Sequence, residues 1–412
     1  MTSNYDQAQA ALTCSVAFLN EEEDERKIVL DNGTDLCRIG FANADAPRAV
    51  FPPCLSDGGV GSGHDDGAGV SGVGGDGGDG IRVGYQSTYP KHYPMERGII
   101  TNWEAMEKVW HHAFHNELRV APQNYKLLIS DRLFSPKCQR EKTLEIMMEK
   151  FEVGGFMVTS SALLALYSNG RDSGVVVESG AGVTTALPIQ DSCVIAHAVQ
   201  RCDMGGRDVT DHLVGMLKRR GYSFATQSEW DLVNKMKEKM CFVAPDVEWS
   251  NEKLNNGEYE AKSFQLPDGS SIILGHEMFK APEILFDPSQ LQHTATTSRR
   301  STNCLSGIPE MIKKCVSSCE SDGARAILCS SILISGGNSM IRGFNERIFP
   351  TVHNMFPEQM RVRTICTPER RFSTWIGGAI LASLSHNNNN TWIDREDYDE
   401  YGPSVVHRLC RF

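Results

Sequence analysis

One short pattern occurs twice in this sequence and restricts the fold more than any other feature. At "GVVVESGAGVTTALPI", residues 174–189, the apolar run Val175, Val176, Val177 ends on an acid, Glu178. Ser179-Gly180-Ala181-Gly182 follows, and an apolar run resumes at Val183. At "RKIVLDNGTDLCRIGF", residues 26–41, another apolar run ends on Asp31, passes a turn containing Gly33 and Thr34, and returns. Each copy reads as a strand, a tight glycine turn and an antiparallel strand. Backbone N–H groups in such turns can cradle a phosphate. The copies lie about 147 residues apart, which suggests a duplicated lobe.

A third turn, in "SILISGGNSMIRGFNERI" (331–348), runs from a strand through Ser335-Gly336-Gly337 into a helix. Glycines before a helix N-terminus collect free N–H groups and the positive end of the dipole at one point. Any one of these turns is weak evidence; the three in this order describe two lobes gripping a nucleotide polyphosphate from opposite sides. Asp31 and Glu178 are then the carboxylates placed to hold the water shell of a divalent ion. Magnesium keeps most of its waters and accepts few protein carboxylates.

At 412 residues the chain exceeds one simple core, so two or more lobes are expected. Alternating strand and helix patterns imply α/β architecture. Helices fit "NWEAMEKVWHHAFHNELRV" (102–120), "QREKTLEIMMEKF" and "RDVTDHLVGMLKRRG"; strands fit "YKLLISD" and "AILCSSILISGG". Glu107, His111 and His115 share one helix face, but one face without further ligands is a poor metal site. Residues 1–26 read as a mobile extension closed by "EEEDER", with Leu12, Val16 and Phe18 offering a short partner-binding helix as the alternative. Residues 57–80 are about half glycine and cannot bury enough surface to offset their ordering entropy. A net charge of −11 argues against direct nucleic-acid or anionic-membrane binding. No apolar run approaches a membrane span. Thirteen cysteines without a CxxC pair point to a reduced compartment, with thiols as small core residues.

Further along, the chain resembles actin and the actin-related proteins from Ile28 to Phe412. The resemblance is carried by "DAPRAVFP" (45–52), "TNWEAMEKVWHHAFHNELRVAP" (101–122), "GGRDVTDHL" (205–213), "RGYSFATQ" (220–227), "PERRFSTWIGGAILASLS" (368–385) and "YGPSVVHRLCRF" (401–412). It implies an actin-like two-lobed ATPase fold of four subdomains that closes on ATP or ADP with Mg2+. The implied division is 27–56 with 92–168 and 373–412 as outer lobe core, and 57–91 as a small second subdomain. Residues 169–204 with 293–372 form the inner lobe core, and 205–292 the fourth subdomain.

Departures cluster where that nucleotide would sit. The family's Asp-x-Gly-Ser-Gly becomes Asp31-Asn32-Gly33-Thr34-Asp35, which sets a bulky negative charge where a glycine backbone faces phosphate. Arg38 takes the place of a lysine, and the two are not interchangeable. In the second hairpin one acid lengthens to Glu178, another is lost to Ala181, and a histidine becomes Thr185. The family's water-positioning glutamine corresponds to Ser161. The base pocket keeps Lys237 and Glu238 while its arginine becomes Asn234; Gly336, Gly337 and Met340 are kept, and Arg371 replaces a lysine near the adenine.

Phosphoryl transfer depends on positioning, so ATP binding with weak or no hydrolysis is expected. The family's apolar filament contacts correspond to the glycine tract and to "PSQLQHTATTSRR" (288–300). Tips without apolar anchors bury little area, which disfavours self-polymerisation. A structural cytoskeletal subunit in the cytoplasm is the expectation. Its partners would be proteins, either actin or a multi-subunit cytoskeletal or axonemal assembly. The alternatives are a polymerising actin-like ATPase and a nuclear subunit of a chromatin complex.

Overall fold

Both glycine hairpins form, each in the register its apolar pattern requires. Lys27–Asn32 pairs antiparallel with Cys37–Phe41, setting Asp31 opposite Arg38. Gly174–Ser179 pairs antiparallel with Thr184–Gln190, setting Glu178 opposite Thr185. The computed structural model that shows this describes residues 26–57, 81–83, 91–293, 306–385 and 391–410. The extension before Arg26, nearly all of the glycine tract, the end of the 288–300 segment and "NNNN" fall outside the described residues.

The two sheets share one topology. In the first, the leading strand of the hairpin also pairs in parallel with Lys126–Asp131, which pairs in parallel with Gly155–Ser160. In the second, the leading strand pairs in parallel with Ile332–Ser335, and that strand with Thr364–Ile365. Each returning strand takes a further antiparallel partner, Ala49–Phe51 in one sheet and Gln200–Cys202 in the other. Strand order and direction therefore match, and the duplication read from the two hairpins is real. Parallel strands covered on both faces read as unbroken apolar runs, as in Ile28-Val29-Leu30 and Val175-Val176-Val177, all fully buried.

One helix joins the sheets and a second packs across it. Ser161–Tyr167 sends Leu164 into the core of the first sheet, while Ala162, Leu163, Ala165 and Leu166 pack with Val176, Leu187 and Leu333 of the second. Ser373–Leu384 crosses it so closely that a Cβ on Gly377 would collide with the Leu164 carbonyl. A Cβ on Gly378 would lie 2.7 Å from Val29 Cγ1.

Three local readings change. The helix at 102–120 is α over Trp103–His111 and continues as a π-helix over His112–Leu118, ending at Arg119 with φ +58°. On its polar face Glu107 pairs with Lys150 at 2.6 Å, and the His111 and His115 ring centres lie 4.2 Å apart with the rings tilted by 48°. No group of three metal-ligating side chains occurs among the described residues. "AILCSSILISGG" is a strand only over Ile332–Ser335; its first four residues close the helix Asp322–Cys329. Ser321 Oγ caps that helix by accepting from Ala324 N at 3.0 Å, a local signal that outweighs apolar composition. Among the described cysteines ten are free thiols, seven of them buried. Cys202 is disulfide-bonded, against the all-thiol expectation.

Among the described residues no helix is long and apolar enough to cross a membrane. The helix Gly206–Arg219 buries His212, only 7% exposed, and burial with nearby Arg219 lowers its pKa to about 4. The unfolded chain protonates this ring near its ordinary 6.5 while the folded chain keeps it neutral, so the stability it contributes is present above that pH and lost on acidification. Between pH 7 and 5 this amounts to about 2 kcal/mol. Urea midpoints at the two pH values, compared with those of His212→Leu, measure it: the variant's pH dependence is expected to be flatter.

Candidate functional site

The turns converge on a cleft of about 410 Å³ between the two sheets. Asp31, Gly33, Thr34 and Arg38 line it from the first hairpin, and Glu178, Gly180 and Ala181 from the second. Gly336, Gly337 and Met340 come from the third turn, with Ser161, Lys237, Glu238 and Arg371 completing the predicted set. Four residues picked from the sequence are not lining residues. Ser179 and Val183 are buried, Gly182 packs on the Arg97 backbone, and Thr185 sits in the strand ladder between Glu178 and Arg201. They shape the second turn rather than face the cleft.

The third turn holds to the second by a side-chain clamp. Asn338 Nδ2 donates to Ser179 Oγ at 3.0 Å and to Gly180 O at 2.8 Å. Gly336 has φ +93°, and a Cβ there would strike Ser179 O, so the turn needs glycine. The chain then makes a 3₁₀ turn over Gly337–Met340, and the α-helix starts only at Phe344. The expected helix dipole is therefore not aimed from Gly337, because Gly343 breaks the path with a second positive φ.

Charges in the first turn are matched within the chain. Arg38 Nη1 pairs with Asp31 Oδ2 at 2.5 Å, and Ser130 Oγ donates to Asp31 Oδ1 at 2.7 Å. Asp35 is held by Arg207, with Nε at 3.1 Å and Nη2 at 2.9 Å, and Arg207 also donates to Thr34 O at 3.3 Å. The same guanidinium lies over the Tyr93 ring at 4.3 Å. The negative charge at position 35 thus ties the first turn to the start of Gly206–Arg219. Thr34 Oγ1 accepts from Gly98 N at 3.1 Å, and Arg97 Nη1 donates to Asp203 O.

On the other side, Ser161 Oγ donates to Glu178 Oε2 at 2.9 Å. Burial pushes the Glu178 carboxyl up, against the opposing pull of Arg132 and this hydrogen bond. Lys237 is spent structurally: its ammonium donates to Gly206 O at 2.9 Å, Thr210 Oγ1 at 3.1 Å and Asn234 Oδ1 at 2.7 Å. Burial lowers its pKa. Asn234 then donates to Glu238 Oε1 at 3.2 Å, linking the predicted base-pocket pair through the residue that replaced an arginine.

Sequence reasoning missed Arg132. It follows the strand Lys126–Asp131 and lines the cleft. Its Cδ lies 2.5 Å from where a Cβ on Gly98 would stand, and its Nη2 lies 3.1 Å from the same point on Gly180. The available signal was its position just past the carboxyl end of a parallel strand, where open α/β sheets place ligands.

The donor set fits a polyphosphate: two glycine hairpins, a third glycine turn and an arginine between them. It does not fit a hydrated magnesium ion as expected from the sequence. Both Asp31 oxygens already carry partners, and half-buried Glu178 accepts from the Ser161 hydroxyl on Oε2.

The family model described as actin matches residues 22–411. Members of that family generally bind ATP or ADP with Mg2+ and form protein assemblies. With its duplicated sheets, crossing helices and glycine-lined cleft, this chain belongs to the actin family.

Proposed function

We propose that this chain is a divergent actin-family subunit that holds a nucleotide between its lobes and hydrolyses ATP weakly or not at all. It works as a structural component of a protein assembly in the cytoplasmic cytoskeleton, with protein partners, actin among the candidates. The lobe division at 27–56, 92–168 and 373–412 against 169–204 and 293–372 belongs to this reading. Separate apolar cores support it: one is built from residues between Ile28 and Leu164 plus Trp375 to Cys410, the other from residues between Val175 and Val352.

The carrying observation is the hydrogen bond from Ser161 to Glu178. The hydroxyl at the position of the water-positioning glutamine is turned to a carboxylate. Ala181 carries no polar group and Thr185 does not line the cleft. Losing the positioning of an attacking water costs about 100-fold or more in rate.

Purified protein incubated with ATP is expected to release phosphate at least about 100-fold more slowly than a conventional actin assayed beside it. Nucleotide should be recovered from it on denaturation, and no pellet should form under polymerising salt. Rapid diphosphate formation that accelerates with sedimentable assembly would replace this reading with that of a polymerising ATPase.

A further inference from the structure

We propose that Arg132 takes the place of the divalent cation, so that the cleft binds a nucleotide's polyphosphate by this guanidinium without magnesium. The inference rests on the nucleotide reading above and adds how the charge of the ligand is met.

Three of the acids around the cleft are each matched to an arginine of their own. Asp31 pairs with Arg38 at 2.5 Å, Asp35 with Arg207 at 2.9 Å and Asp131 with Arg140 at 2.6 Å. The Asp31–Arg38 pair is 11% exposed on both sides, so recruiting Asp31 to an ion's water shell means breaking a shielded, charge-assisted contact. Arg132 has no such contact, although its charge is felt by Glu178. It makes no ion pair among the described residues, and its Nη1 is buried without a hydrogen-bond partner. A buried donor in that state is costly unless something arrives to satisfy it.

Its location says what would arrive. The guanidinium lies between Gly98, whose N–H meets the first turn at Thr34, and Gly180 of the second turn. That is the gap between the two backbone cradles, where a polyphosphate bridging them has to pass. A planar fork of N–H donors suits phosphate oxygens two at a time, which an ammonium does not. Attraction to Arg132 therefore scales with the phosphates present. Adenosine gains nothing from it.

Isothermal titration of the full chain, stripped of nucleotide, with ATP, ADP and adenosine tests this in buffer with EDTA and again with excess Mg2+. The expected result is ATP affinity that changes less than about threefold on adding Mg2+. Arg132→Ala should weaken ATP by about 10- to 100-fold and leave adenosine unaffected. Arg132→Lys should recover only part of the loss. Circular dichroism and the urea midpoint of each variant separate a lost contact from a lost fold; if Arg132→Ala does not fold, the Arg132→Lys titration and the EDTA comparison on the wild type decide. ATP binding that requires Mg2+, or that survives Arg132→Ala unchanged, overturns the proposal while the nucleotide reading stands. No binding of any nucleotide in either buffer overturns both.

Discussion

A methyl group at position 377 is expected to cost about 3 kcal/mol, as overpacking against a rigid neighbour does. Most added methyl groups find relief in a side chain that rotates. Here the obstacle is the backbone: the new Cβ of Gly377→Ala would meet the Leu164 carbonyl oxygen and carbon. The helices Ser373–Leu384 and Ser161–Tyr167 would have to separate. Ser161–Tyr167 also packs on the second sheet, so the displacement spreads from the first lobe to the second and shifts Ser161 at the cleft. Gly215 is the control, since it lies in Gly206–Arg219 with nothing within 4 Å of an added Cβ. Gly215→Ala should stabilise by up to about 1 kcal/mol through helix propensity. Urea midpoints of the two variants check this. An unchanged midpoint for Gly377→Ala would remove the backbone contact between the helices.

Arg347→Ala is expected to cost about 3–5 kcal/mol at pH 8, because it strands a buried carboxylate. Arg347 Nη2 pairs with Glu283 Oε1 at 2.9 Å and Nη1 donates to Ala244 O at 3.0 Å. The two side chains are 7% and 3% exposed, and Glu283 Oε2 has no other partner. Burial pushes the Glu283 carboxyl above its ordinary 4.5, while Arg347 pulls it back. Without the arginine the folded-state value rises further. A folded protein that holds the proton more tightly than the unfolded chain gains stability as pH falls toward that ordinary value. The loss in the variant should therefore shrink between pH 8 and pH 5, and Glu283→Gln in the same background should restore part of it at pH 8. A deficit equal at both pH values would mean that Glu283 is not the group left stranded.

Much of the fold was legible because it is written in short-range patterns. An apolar run ending on an acid, a glycine turn and a second apolar run specify a hairpin and its register within sixteen residues, as at 26–41 and 174–189. Apolar residues at three- and four-residue spacing in 102–120, namely Met106, Val109, Trp110, Ala113 and Phe114, mark one helix face, and all five are buried. The stretch 326–329 misled for an equally local reason: apolar residues suit strand and helix alike, and the Ser321 cap decides between them.

From the sequence alone came the two glycine hairpins, the duplication and the set of turns that converge on the cleft. Each depends on residues adjacent in the chain, whose backbone preferences and pattern act before any tertiary contact forms. The charge state of the cleft was decided only by the tertiary structure. Asp35 looked like a repulsive charge until Arg207, 172 residues away, was found paired with it. Asp31 looked free to hold an ion's waters until Ser130, 99 residues away, and Arg38 were found on its two oxygens. Arg132 carried no signal apart from its place after a strand. Coulomb and hydrogen-bond energies depend on distance in space, and at those separations along the chain only packing sets that distance.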